Sequence, residues 1–331
     1  MNLKMIDLFS GIGSFRLAFE SFGVDCVFSA DFDKNVAKAY KHAYSENPYR
    51  DINEIDINSI PDYDILTAGF PCQPFSVAGH RLGFQDPRAQ ATFKTFEIIQ
   101  RTKPKAFVLE NVKGLNKKIG NDTESPLTKI INLLTPFGYH VEANLYNANY
   151  YSHTPQNRER YFIIGIRHDV YNNKPLSLSL LQGLPKSFKT ILEPQENIST
   201  KYFYHKDNKP NFNQELYTQL SSYELDPDFS DYVYQIRRKY IRKHTVKFRS
   251  PTLTKNMGTG GHNVPLIYDT RFSKWRKFTP RECFSLQDFP QDFPLLSSLS
   301  DSTLYGIAGN SIPFNLTTRI AKITLSAIQE N

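Results

Sequence analysis

The sequence predicts an α/β fold: a doubly wound, mostly parallel sheet with a second, smaller domain. Three observations carry that expectation. Short apolar runs alternate with amphipathic stretches through the first half, a Gly-X-Gly turn joins the first run to the first amphipathic stretch, and beyond about residue 170 the helical periodicity fades into chain rich in Asn, Tyr, Ser, Pro and Gln. Leu3 to Phe9, Asp25 to Ala30, Asp64 to Phe70 and Ala106 to Leu109 read as strands. Phe15 to Ser21, Asn35 to Tyr44, Thr92 to Arg101 and Leu127 to Leu134 read as helices. Tyr139 to Asn147 and Arg160 to Ile166 read as two late strands. From Tyr305 to Ile328 a Gly-Asn-Ser turn and an apolar periodic run regain the texture of the first half. The expected division is therefore 1–172, 173–300, and a segment 301–331 that returns to the first domain.

The chain has 331 residues, 40% hydrophobic and 22% charged, and holds no run near the ~18 apolar residues that a membrane span needs. Leu3 to Phe9 has no small-residue cleavage site behind it, so no secretory signal is read. Cys26, Cys72 and Cys283 stand far apart in no metal-ligand spacing, which fits a reducing cytoplasm with neither disulfide nor metal. The net charge is +7, and between Asp231 and Asp269 eight basic residues occur with no acidic one. Such a run suits a polyanion such as nucleic acid; a solvated basic face is the alternative.

Several stretches carry chemistry. "DLFSGIGSF", Asp7 to Phe15, puts Gly11 and Gly13 at a strand-to-helix junction where a ligand can approach backbone N–H groups, although Arg16 stands where a dinucleotide motif would have its third glycine. Asp31 ends the next strand and is placed for two ribose hydroxyls, so a nucleoside-containing ligand fits; a plain tight turn is the alternative. In "GFPCQPFS" Cys72 lies between two prolines that cannot donate to a strand or helix, in a stiff loop at a strand end. An ionised thiol there is a nucleophile, whereas Cys26 and Cys283 read as inert core residues. Glu110 in "LENV" has apolar neighbours that would raise its pKa and let it hold a proton; a surface glutamate is the alternative. Arg158 and Arg160 alternate before an apolar strand and are expected to point to one face, toward an anion or a carboxylate network.

Taken together, "DLFSGIGSF", "GFPCQPFS", "ENVKGL", "PQNRERYFIIG", "FTPRECFSLQDFP" and "AGNSIP" occur in the order and spacing of the cytosine-C5 DNA methyltransferase family, which this chain resembles over residues 3 to about 170 and 271 to 320. The resemblance implies the Rossmann-like fold of S-adenosylmethionine-dependent methyltransferases with a target-recognition domain. It implies Cys72 as nucleophile, Glu110 as its partner on the pyrimidine, and Arg158 and Arg160 in support. It implies an S-adenosylmethionine pocket from Phe9, Gly11, Ile12 and Gly13, with Asp31 on the ribose, Phe32 against adenine, Asp51 and Ile52 at the base edge, and Pro71, Asn310 and Ser311 closing it.

Double-stranded DNA is the implied partner, met by Gln73, Ser76 and Arg88 of a loop over Ser76 to Gln90. The recognition segment adds Arg237, Arg238, Lys239, Thr252, Gly258, Gly260 and Gly261, while Tyr232, Tyr234 and Tyr240 read as packing residues. A monomer in a prokaryotic cytoplasm, with a cognate restriction endonuclease as a further partner, is the family pattern. A tRNA cytosine methyltransferase and an inactive DNA-binding relative are the rival readings. Two departures stand out: Ala89-Gln90-Ala91 replaces Gly-Thr/Asn-Leu, and Asp288 occupies a position where glycine is common.

Overall fold

The computed structural model describes residues 3–71, 87–118, 120, 122–204, 214–237, 240–259 and 264–328, with residues 87, 88 and 214 as backbone only. Cys72, Gln73, Ser76, Arg238, Lys239, Gly260 and Gly261 lie outside the described residues, as does the side chain of Arg88. The elements run β1 (Lys4–Leu8), α1 (Ser14–Glu20), β2 (Asp25–Ala30), α2 (Lys34–Tyr44), β3 (Ile65–Ala68), α3 (Pro87–Thr102), β4 (Ala106–Val112), α4 (Pro126–Leu134), β5 (Tyr139–Asn147), β6 (Glu159–Arg167), α5 (Gln214–Tyr223), β7 (Tyr234–Arg237), β8 (Tyr240–Lys243), β9 (Leu266–Asp269), β10 (Lys274–Lys277), α6 (Pro280–Ser285), α7 (Asp301–Asn310) and α8 (Phe314–Ala327). Shorter turns of helix lie between them. No described helix is long and apolar enough to cross a membrane. The chain divides into two compact units: Met1–Asn147 with Glu159–Leu180 and Phe314–Asn331, and Ala148–Arg158 with Leu181–Pro313.

The first unit holds a sheet of order β2-β1-β3-β4-β6-β5. The first four strands pair in parallel, and β6 runs antiparallel between β4 and β5. Parallel strands are covered on both faces, which is why their residues read as apolar runs without alternation. All four residues of β3 are buried, and Ile6, Leu8, Leu66, Phe107, Leu109 and Ile163 share one core with Phe96 and Ile99 of α3. Local sequence sets the helix ends. Asp33 caps α2 by accepting from the N–H groups of Asn35 and Val36, and Ser125 caps α4 ahead of Pro126. The C-terminal helix α8 packs on α1 and β6.

Helix α3 begins at Pro87, so the last part of the loop expected over Ser76 to Gln90 is helical. Proline suits a first helical turn, and Ala89 and Ala91 are buried on that helix at 3% and 7% exposure. Ala89-Gln90-Ala91 is thereby accounted for as helix packing.

The second unit contains an antiparallel sheet of order β10-β9-β7-β8. Here side chains alternate. Tyr234, Ile236 and Ile241 face a core with Leu220, Leu266 and Trp275, and the Trp275 Nε1–H donates to Glu224 Oε1 at 2.7 Å. Tyr240, expected to pack, is 56% exposed because it falls on the other face of its strand. Edge strand β8 is blunted by α5: the Ile241 N–H donates to Gln219 Oε1 at 3.0 Å, and Tyr223 OH donates to the Ile241 carbonyl at 3.0 Å.

The "FTPRE" motif acquires a structural explanation in this unit. Thr279 and Glu282 form a capping box at the start of α6. The Glu282 carboxylate also accepts two hydrogen bonds of 2.7 Å from Arg276, which is fully buried and donates its Nε–H to Asp269 Oδ2 at 2.7 Å. Removing Glu282 leaves buried Arg276 with Asp269 alone, a carboxylate that it shares with Arg271. Glu282→Ala should destabilise this unit by about 3–5 kcal/mol, read by urea unfolding with Trp275, the only tryptophan, as the fluorophore.

Candidate active site

The turn between β1 and α1 is held open by unusual backbone. Phe9, Gly11 and Gly13 have φ of 54°, 56° and 84°. A bulky residue such as Phe9 is rarely left-handed, which marks the turn as a place where structure is held against local preference. At Gly13 a β-carbon would lie 2.7 Å from the Tyr44 ring, so glycine is required. At Gly11 a β-carbon would meet nothing within 4 Å, which leaves its backbone approachable.

Asp31 ties this turn to the next strand. Its Oδ2 accepts from the Gly11 N–H and its Oδ1 from the Asp33 N–H, both at 2.9 Å. Backbone bonds from Asp31 N–H to the Pro48 carbonyl, and from Arg50 N–H to the Asp31 carbonyl, bring the following segment alongside. Asp51, next in line, is exposed and accepts from the Asn53 N–H at 2.9 Å, while Ile52 is buried. Phe32 is 68% exposed beside Asp31. Ile12 is buried in the turn. The residues of this unit that the sequence leads one to expect around a nucleoside thus stand near the β1–α1 turn.

Two residues of the same turn were not singled out from sequence. Asp7 is fully buried in β1, where its Oδ1 accepts from Thr67 Oγ1 at 2.7 Å and its Oδ2 has no partner among the described residues. The buried Ser10 Oγ likewise has none. Burial pushes the Asp7 carboxyl up to about 8 against the opposing pull of Thr67 and Arg16. The available signal was an aspartate set between apolar residues, Met5 and Ile6 before it and Leu8 after it, in "KMIDL".

A second group of residues forms where β3 and β4 end. Their parallel register sets Ala68 beside Leu109, so Gly69 and Glu110 leave the pair together. Beyond this point the Phe70 carbonyl accepts from buried Asn111 Nδ2 at 2.9 Å, and the Pro71 carbonyl from Thr92 Oγ1 at 3.4 Å. The backbone entering Cys72 is thus gripped from two neighbouring elements. Asn111 was overlooked in the sequence, where it is overshadowed by the adjoining glutamate.

Glu110 is not in the purely apolar surroundings that its sequence neighbours suggest. Arg160 Nε donates to Glu110 Oε1 at 2.8 Å, both side chains being 13% exposed. The contact follows from register: Glu110 pairs with Phe162 and Val112 with Arg160, which makes Glu110 and Arg160 diagonal neighbours on one face. Glu110 Oε2 faces the other way, toward Gly69, whose added β-carbon would stand 3.6 Å from it.

Arg158 does not share that face. Strand β6 starts only at Glu159, so the alternation does not reach Arg158. Its guanidinium, 1% exposed, donates to the carbonyls of Leu253 at 2.9 Å and Gly309 at 3.0 Å within the second unit. There Gln156 donates to the Leu286 carbonyl at 2.8 Å and Gln287 to the Ala308 carbonyl at 2.7 Å, closing a buried polar latch. A β-carbon on Gly309 would lie 2.2 Å from the Thr254 carbonyl oxygen, so the motif glycine allows α7 to touch the backbone at Thr254.

The remaining second-unit residues divide in the same way. Thr252 Oγ1 donates to the Asn157 carbonyl. Gly258, at φ 83°, would meet Tyr305 at 2.9 Å if it carried a β-carbon, so its close approach is to α7. Asn310 is exposed at the end of α7, and Ser311 Oγ donates back to the Ile307 carbonyl at 2.8 Å. Asp288 has φ 59° and accepts from Thr154 Oγ1. That conformation suits glycine, and aspartate is among the few residues that tolerate it.

The other two cysteines are poor nucleophiles. Burial pushes the Cys26 thiol up to about 12 and holds Cys283, fully buried, well above its ordinary value. Among the described residues no group of three His, Cys, Asp or Glu side chains could hold a metal ion.

The family model of C-5 cytosine-specific DNA methylases matches residues 3–325. The chain belongs to this family. It is an enzyme of cytosine-C5 methylation in DNA. It is 38% identical over 323 residues to the type II methyltransferase M.Bsp6I of Bacillus sp. (strain RFL6), covering 97% of this chain and 98% of that protein. It is 35% identical to the type II methyltransferase M.HpaII of Haemophilus parainfluenzae, with 93% and 85% covered. Among solved structures, the methyltransferase EhMeth of Entamoeba histolytica superposes with a TM-score of 0.73 at 19% identity over all of both chains. A mutant DNMT2 of Spodoptera frugiperda gives 0.71 at 21%, over 98% of this chain and 100% of that one. At these identities the likeness establishes the mostly parallel α/β fold.

Asp7 yields a test of how this turn is built. Its folded pKa is raised, so its contribution to stability is full below the unfolded value near ~4 and is lost as pH climbs toward about 8. Asp7→Asn keeps the shape and removes the titration. Calorimetry should show wild-type Tm falling relative to the variant as pH goes from about 5 to about 8. A pH-independent difference would contradict the buried, proton-holding carboxyl.

Proposed function

We propose that this chain methylates carbon 5 of a cytosine that it extrudes from duplex DNA, in a bacterial type II restriction-modification system with a cognate endonuclease. The observation that carries the reading is the meeting of two things at the ends of β3 and β4, the Phe70 carbonyl held by Asn111 and the Glu110 carboxyl held by Arg160, with Phe70 two residues before Cys72 in the sequence. The named relatives are type II methyltransferases along nearly the whole chain, which supports the same assignment.

The chemistry demands such a group. Carbon 5 of cytosine is a weak nucleophile until electron density is loaded into the ring. Addition of the Cys72 thiolate to carbon 6 supplies that density, provided that charge building at N3 is met by a hydrogen bond or a proton. Glu110 is the group for N3, and Arg160 fixes which of its oxygens is turned toward the strand end. Loss of the carbon 5 proton and expulsion of Cys72 then restore the aromatic ring. The base must leave the stack to be reached at all, at a cost of a few kcal/mol.

The residues around the β1–α1 turn fit S-adenosylmethionine. The backbone at Gly11 is open, the Asp31 carboxylate stands where a ribose diol would be held, Phe32 presents an exposed ring for adenine, and Ser10 Oγ is buried without a partner. Bound there, the cofactor supplies the electrophilic methyl group. Phe9, Gly13, Asp51 and Ile52 would line the same pocket.

Incubation with tritiated S-adenosylmethionine should label duplex DNA in the wild type and leave it unlabelled with Cys72→Ala. Label surviving that substitution refutes the mechanism. Label appearing in tRNA in preference to duplex DNA refutes the substrate.

A further inference from the structure

Much of the basic run in the second unit is already engaged. Lys243 pairs with Asp226 and Lys247 with Asp228, while Arg242 donates to Gln235 and Arg249 to the Pro185 carbonyl. Lys255, the last member of the run, differs. Its exposed ammonium has no hydrogen bond or ion pair among the described residues, and neither has the exposed side-chain amide of Asn256. The two residues form the corners of a tight turn, closed by a hydrogen bond of 3.1 Å from the Met257 N–H to the Thr254 carbonyl.

The main chain of this turn is held as closely as its tip is open. Met257 is 2% exposed, and Leu253 just before the turn accepts from Arg158 at its carbonyl and gives its N–H to Gln156 Oε1 at 3.1 Å. Helix α7 supports the turn along one stripe. A β-carbon on Gly306 would stand 3.2 Å from the Lys255 carbonyl oxygen, and one on Gly258 would stand 2.9 Å from the Tyr305 ring. With Gly309 against Thr254, the helix residues in contact are three and four apart and share a face. Tyr305 is itself fixed, its OH donating to the Phe278 carbonyl at 2.6 Å. Main chain lies on main chain here, so the helix sets the position of the turn and leaves the two tip side chains to meet a partner.

Groups presented from a fixed backbone lose little conformational freedom on binding. An ammonium has donors only, which the two acceptors O6 and N7 of a guanine edge match. An amide brings donors and an acceptor, as a mixed base edge requires. A phosphate would take the ammonium but leave the amide oxygen idle. We infer that Lys255 and Asn256 are specificity-determining residues, which read base edges in the major groove from the tip of this turn, Lys255 on a guanine and Asn256 on the base pair beside it. The inference rests on the duplex-DNA reading above and deepens it, since a count of basic residues does not separate Lys255 from its neighbours and passes over Asn256.

The test is methylation of a pool of duplexes in which the bases around one cytosine are randomised, with S-adenosylmethionine supplied and the product read by bisulfite sequencing. Wild type should select a sequence that contains guanine. Lys255→Met keeps the length of the side chain and removes its donors; it should lower the preference for guanine at one position about ten-fold or more and keep the others. Asn256→Ala should relax a neighbouring position. Both variants should keep the wild-type Tm, because both side chains are exposed.

An unchanged selected sequence in either variant overturns the inference. So does a Lys255→Met protein that, by fluorescence anisotropy, loses affinity for every duplex by the same factor with a salt slope smaller by about 1, which makes Lys255 a phosphate contact. If wild type methylates no duplex in the pool, the duplex-DNA reading itself fails, an outcome distinct from failure of the base-reading pair.

Discussion

The hydrogen bond from Arg160 to Glu110 is the constraint on which the chemistry proposed for the first unit depends. A carboxyl at the end of a parallel strand would otherwise be free to choose among rotamers. The antiparallel strand β6, inserted beside β4, brings a guanidinium diagonally across at 2.8 Å and fixes one oxygen, leaving the other turned toward the end of β3. Charge-assisted hydrogen bonds are stronger and shorter than neutral ones, and a pair largely withdrawn from water is little screened by salt. The sheet topology and the site are therefore one arrangement: without a reversed strand next to β4 there is no arginine to orient the carboxyl.

Around that pair the first unit shows a consistent pattern of backbone held by side chains. Asn111 and Thr92 grip the carbonyls of Phe70 and Pro71, and Asp31 grips the N–H of Gly11. Each grip acts on main chain next to a residue with a proposed chemical task. In the second unit the same principle serves a different end. Gln156, Arg158 and Gln287 bind carbonyls at Leu286, Leu253, Gly309 and Ala308, which joins the chain at Leu253 to α7.

Much of the fold was legible because its signals are local. Asp25–Ala30 and Tyr139–Asn147 carry the same bounds in sequence and structure. What escaped was decided by partners distant in sequence. Nothing near Glu110 announces a guanidinium 50 residues on, since the register of β4 on β6 sets that contact. Arg158 and Arg160 look equivalent in "QNRER", yet the strand begins between them and sends them to different partners. The glycine preference opposite Asp288 becomes intelligible only with its φ of 59°. The basic run was visible as a count, but the aspartates that neutralise Lys243 and Lys247 are matched to them by folding.

The central claim is that Arg160 readies Glu110 for a ring to which Cys72 adds. When S-adenosylmethionine is supplied, a duplex carrying 5-fluorocytosine at the target is methylated at carbon 5 but has no proton there to lose, so the thiol adduct cannot eliminate, persists and can be mapped to the peptide containing residue 72. The account predicts that wild type forms this adduct, and that Arg160→Gln forms it at least ten-fold more slowly, about 1.4 kcal/mol or more in the barrier, with duplex affinity kept within a few-fold. An Arg160→Gln protein that forms the adduct at the wild-type rate would contradict it.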